Sequence, residues 1–137
     1  MKIVVMDGQG GKIGKLLVEQ FKRSLPEQSL TAIGTNSIAT AAMLRAGADF
    51  GATGENPVVY NCLDADLIIG PLGIIVANSL LGEVTPAMAT AVGQSKAKKI
   101  LIPVSKCGCV VIGAADLPVS DYIALAVSEA EQLLRGR

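Results

Sequence analysis

The chain opens with a short apolar run, Ile3-Val-Val-Met6, that passes straight into the glycine-rich turn Asp7-Gly-Gln-Gly-Gly-Lys-Ile-Gly14. An apolar run of this length reads as a buried strand. The positions Ile13, Leu16, Leu17, Phe21 and Leu25 that follow repeat at helical spacing. Gly8, Gly11 and Gly14 are spaced G-x-x-G-x-x-G, with Gly10 a fourth glycine among them. A strand-to-helix turn of this kind gathers bare amides at a helix N-terminus, where the helix dipole favours an anion. Gly8 is expected to leave the strand with positive φ, and Gly10 or Gly11 to let a pyrophosphate reach the backbone. Gly14 is expected to let helix and sheet pack closely. Lys12 offers a phosphate a point charge. The candidate phosphate-binding residues are therefore Gly8, Gln9, Gly10, Gly11, Lys12, Ile13 and Gly14. The competing reading is a tight turn that binds nothing.

Strand and helix patterns alternate along the rest of the chain. Strands are expected at Leu30–Ile33, around 50–54, at Asp66–Ile69, at Lys98–Val104 and at Cys109–Ile112. Helices are expected at Lys12–Ser24, Ile38–Arg45, Val58–Leu63, Ile74–Leu81, from Thr85-Pro86 to Ser95, and at Val119–Leu134. Asn36 or Ser37, Asn56 (before Pro57) and Thr85 are the expected N-caps. Such alternation implies parallel pairing through right-handed crossovers. The expected fold is α/β: a doubly wound, mostly parallel open sheet with helices on both faces, in three αβα layers. In such folds ligands lie outside the carboxyl ends of the strands, near the switch point. That rule selects the loops 7–14, 34–37, 52–56, 70–73 and 105–107, adding Gly70 and Pro71 to the candidate binding residues.

At 137 residues the chain is read as one domain, 1–137. Half of the residues are hydrophobic, 18% are charged, and mean hydropathy is +0.49. Those values suit a sheet buried on both faces and an apolar surface covered by a partner subunit, so a homo-oligomer, most simply a dimer, is expected. Twelve basic residues balance twelve acidic ones, and there are two Phe, two Tyr and no Trp, which disfavours nucleic-acid binding. No signal peptide is legible, and the apolar stretch 67–81 is too interrupted to span a bilayer. No membrane partner and a cytoplasmic location are the expectation. The absence of histidine removes Ser-His-Asp and Cys-His mechanisms and the commonest metal ligand, and no metal site is expected. Cys62, Cys107 and Cys109 form no disulfide framework; Cys107-Gly-Cys109 could form a redox or metal pair, but with no histidine and no second pair the three are read as free thiols.

In dinucleotide folds an acid at the end of the second strand binds the ribose hydroxyls. Here Gly34-Thr35-Asn36-Ser37 stands in that place, with no carboxylate to repel a 2′-phosphate. Thr35, Asn36 and Ser37 thus make NADP the preferred cofactor over NAD; the alternative is that they only cap a helix. Asp7 is expected to cap the turn's own amides. Glu55, Asn56 and Cys107 are the catalytic candidates, and Glu83 is read as an ordinary exposed acid. A short-chain dehydrogenase, which pairs Tyr with Lys four residues on, is excluded: Tyr60 is followed at that spacing by Asp64, and Tyr122 by Ala126.

Asp7-Gly-Gln-Gly-Gly11 with Ile13-Gly14, Gly34-Thr-Asn36, Ala46-Gly-Ala48, Gly51-Ala-Thr-Gly-Glu-Asn56, Ile69-Gly-Pro-Leu-Gly73 and Leu81-Gly-Glu-Val-Thr-Pro86 together resemble an uncharacterised family of short bacterial proteins. It is the domain of unknown function numbered 3842. The likeness covers nearly the full length. It implies a small Rossmann-like protein of the bacterial cytoplasm and lends no activity, substrate or catalytic residue. Glycine is common in that family where Lys12 stands, which weakens the role given to the lysine. The leading reading is a protein that binds a nucleotide or dinucleotide at the first glycine loop. The alternatives are a small oxidoreductase or nucleotide-sugar-type enzyme, and a structural or assembly protein with an empty loop.

Overall fold

The computed structural model describes residues 1–104 and 107–136. Five strands, β1 (Ile3–Asp7), β2 (Leu30–Gly34), β3 (Phe50–Thr53), β4 (Leu67–Pro71) and β5 (Lys98–Ile102), form one parallel sheet in the order β3-β2-β1-β4-β5. The helices are α1 (Lys12–Ser24), α2 (Ser37–Arg45), α3 (Glu55–Cys62), α4 (Pro86–Gln94) and α5 (Val119–Arg135). The sheet is a doubly wound Rossmann-like one, and its strand order reverses between β1 and β4, the switch point.

Side chains alternate across each strand and so build two cores. Ile3, Val5, Leu30, Ala32, Leu67 and Ile69 face α1, α2 and α5, meeting Leu17, Phe21, Met43 and Val127. Val4, Met6, Ile33 and Ile68 face α3 and α4, meeting Val58, Met88 and Val92. Burying both faces explains why the central strands read as unbroken apolar runs. The same alternation puts Asp7 on the α1 side, at the carboxyl end of β1.

Three expected elements differ. The helix expected over 74–81 is a 3-10 turn, Leu72–Ile75, followed by irregular chain. Asn78, Leu80, Leu81 and Gly82 take φ of 65°, 56°, 57° and 86°, a left-handed conformation that cannot continue a right-handed helix. No strand forms at 109–112, where Val110 is 88% and Ile112 92% exposed, and β5 ends at Ile102. Helix α3 starts at Glu55, three residues before the expected Val58, with Gly54 at the N-cap rather than Asn56. Pro57 is then its third residue, still among the positions that need no helical donor. Asn36 and Thr85 cap α2 and α4 as expected, accepting from the amides of Ala39 and Met88.

Candidate functional site

The turn after β1 is held by carboxylates of the protein itself. Asp7 Oδ1 accepts the Gly8 amide at 2.8 Å and Oδ2 the Gly14 amide at 2.7 Å, with a further backbone bond from Ile13. Asp7 is 4% exposed, and burial pushes its carboxyl above the ordinary range against the pull of those amides; nearby Glu83 adds to the rise. The N-terminus of α1 therefore already holds an anionic partner.

Glu83, read as an exposed acid, is instead a clamp. Its Oε1 accepts the Gln9 amide at 2.8 Å, the Thr35 hydroxyl at 2.7 Å and the Asn36 side-chain amide at 2.8 Å. Burial opposes its charge, but the three hydrogen bonds outweigh that and hold its pKa below the ordinary value. Sequence distance hid this contact, because Asn36 and Glu83 lie 47 positions apart. The run Leu81-Gly-Glu-Val-Thr-Pro86 is the one sequence signal for it.

Three of the four glycines of the turn have a steric reason. Gly8 keeps an ordinary φ, contrary to expectation; positive φ falls on Gln9 (49°) and Gly11 (75°). A Cβ on Gly8 would stand 2.5 Å from Thr35 Oγ1 and 2.9 Å from Leu80 Cδ1, so this glycine lets three segments cross. Gly11 packs against α2, where its Cβ would lie 2.8 Å from Ala39 Cα. Gly14 lets α1 settle on Asp7 and Met43, as expected. Only Gly10 has open space around it. The amides of Gly10 and Lys12 carry no hydrogen bond among the described residues.

Those two amides border a cleft of about 660 Å³ at the carboxyl edge of the sheet. It is lined by residues 7–13, Pro71, Leu80, Pro103, Val104, residues 114–117, Val119 and Tyr122, whose hydroxyl donates to the Ala115 carbonyl. The volume lies within the roughly 300–1,000 Å³ usual for small-molecule sites. Lys12 is exposed at its margin and makes no ion pair among the described residues.

The other candidates lie elsewhere. Gly70 is buried in β4, where a Cβ would meet the Met6 carbonyl oxygen, so it serves packing. Ser37 is exposed at the start of α2. Glu55 accepts the Thr85 hydroxyl at 2.6 Å and, with exposed Asn56, stands at the start of α3; neither lines the cleft. Cys107 is half-buried and also outside the lining, while Ser105 and Lys106 of the same expected loop lie outside the described residues. Among the described residues no group of three or more His, Cys, Asp or Glu could hold a metal ion, and no helix is long and apolar enough to cross a membrane.

Fold and cleft define a Rossmann-like α/β protein with a small-molecule-sized cleft at its switch point. The chain belongs to the family described as Domain of unknown function (DUF3842), whose model matches residues 2–135. Among curated proteins none matches it. One similar solved structure is the dodecameric FMN-dependent Ubix-like decarboxylase from Escherichia coli O157:H7, at 18% identity and a TM-score of 0.48, over 96% of this chain and 76% of that one.

Proposed function

We propose that this protein binds a nucleotide-type ligand in the switch-point cleft, with a phosphate on the amides of Gly10 and Lys12 and beside the Lys12 ammonium. The observation that carries the reading is the pair of unengaged amides next to open space at Gly10, on the border of the cleft. Gly8, Gln9, Gly11 and Gly14 shape the turn. Ile13 and Pro71 line the cleft and supply apolar contact. Glu83 changes the expected cofactor. The preference for NADP rested on a carboxylate-free end of β2, yet Glu83 places a charge on both Thr35 and Asn36. A 2′-phosphate would meet a like charge there, so NAD or a mononucleotide is the better ligand.

Self-association accompanies this reading. Phe50 on edge strand β3, with Leu63 and Val110, leaves large apolar side chains exposed, which a second copy of the chain would cover.

Thermal unfolding with NAD, NADP, FMN, ATP and S-adenosylmethionine tests the proposal. Ligand at 100 times its Kd adds about 2.7 kcal/mol, which raises Tm by several degrees. Gly10→Val should abolish that rise and leave the unliganded Tm near its starting value. No rise with any of these ligands, or a full rise in Gly10→Val, removes the phosphate assignment.

A further inference from the structure

The segment between β5 and α5 carries two thiols that the cleft does not use. Cys109 is exposed and Cys107 half-buried, whereas Cys62 is buried. One residue separates the pair, so two virtual bonds of about 3.8 Å cap their Cα separation near 7.6 Å even in extended chain. Gly108 between them bends that path: its φ is 74°, a left-handed value suited to glycine, and no atom crowds it within 4 Å. Such a bend shortens the separation toward the roughly 4.4–6.8 Å that a disulfide spans. The Cys109 thiol folds back along it, with Sγ donating to the Cys107 carbonyl at 3.8 Å, while Cys107 Sγ donates to the Val104 carbonyl at 3.9 Å. The neighbouring Cys107 side chain raises the pKa of the Cys109 thiol.

We propose that Cys107 and Cys109 are a reversible dithiol–disulfide pair, oxidised by low-molecular-weight disulfides. Exposed Cys109 loses its proton to solvent and attacks one sulfur of the external disulfide. That forms a mixed disulfide and expels one small thiolate. Cys107, deprotonated in turn, attacks the Cys109 sulfur and expels the second. Two protein thiols are oxidised, one external disulfide is reduced to two thiolates, and the two protons go to solvent, from which the small thiolates take them up as pH allows. A link closed over one residue on an exposed turn belongs to the strained, readily reduced class, so small thiols reverse it.

The test is reaction of the full-length protein with 5,5′-dithiobis(2-nitrobenzoate) at mildly alkaline pH, where thiolate forms, followed by mass mapping of the peptide holding both residues. The expected result is release of two chromophore equivalents from this pair, no retained adduct, and a peptide lighter by two hydrogens. Cys107→Ser should keep one adduct on Cys109. Adducts retained on both cysteines of the unaltered protein, a disulfide between chains, or no reaction at either thiol would overturn the proposal.

Discussion

The amide of Gln9 donates to Glu83 Oε1 at 2.8 Å, tying the turn after β1 to a segment 74 positions further along the chain. Thr35 and Asn36 converge on the same oxygen, so one carboxylate fastens the β1–α1 turn to the β2–α2 turn. Removing it leaves three donors without their acceptor. Glu83→Ala should lower stability by about 2 kcal/mol, and Glu83→Gln by less, because an amide oxygen still accepts. Urea unfolding would show a shifted midpoint at unchanged slope. An unshifted midpoint in Glu83→Ala would mean the clamp contributes nothing net.

Gly10 and Gly11 are adjacent and should respond in opposite ways. Gly11→Val combines a positive φ with a Cβ 2.8 Å from Ala39 Cα, so it should cost at least about 2 kcal/mol. Gly10→Ala meets nothing within 4 Å and should stay within about 0.5 kcal/mol of the parent. Denaturant titration of the two variants checks the contrast. A stable Gly11→Val would show that the turn yields easily.

The two carboxylates give pH dependences of opposite sign. Glu83 titrates lower in the folded chain than its ordinary 4.5, so its contribution is complete above that value and is lost as pH falls through the folded pKa. Asp7 titrates higher than its ordinary 3.8, so the folded state holds that proton more tightly than the unfolded chain does. Stability linked to Asp7 is complete below 3.8 and declines as pH rises through the folded pKa. Stability measured from acid to neutral pH should lose its acid-side drop partly in Glu83→Gln. It should lose the opposing decline in Asp7→Asn. Parallel profiles for all three proteins would contradict both assignments.

Lys12 is exposed and unpaired among the described residues, so Lys12→Gln should leave stability unchanged within about 0.5 kcal/mol. Loss of a charge-assisted phosphate contact should weaken ligand binding roughly tenfold, about 1.4 kcal/mol. Titration calorimetry of both proteins reads this directly. Equal affinities would place the phosphate away from the lysine.

The layered sheet was legible because burial on both faces leaves plain apolar runs at β1, β2 and β4, and because Asn36 and Thr85 are strong local caps. Local pattern failed where non-local packing decided. Residues 74–81 carry helical spacing, yet the left-handed turns at Asn78, Leu80 and Leu81 aim Leu80 at the cleft and Glu83 at two distant loops. Cys109 to Ile112 look like a strand, but among the described residues they add no strand to the sheet, which ends at β5, and Val110 and Ile112 stay exposed. The glycine turn was recognisable, but which glycine faces open space was not. That depends on Ala39, Met43 and Thr35, each supplied by another element.

Asp7 gives helix α1 a resident counter-ion. An incoming phosphate finds the helix end already neutralised, so long-range attraction can do little to recruit it. Shape, a pair of amides and one lysine must select the ligand, and affinity should vary only gently with ionic strength.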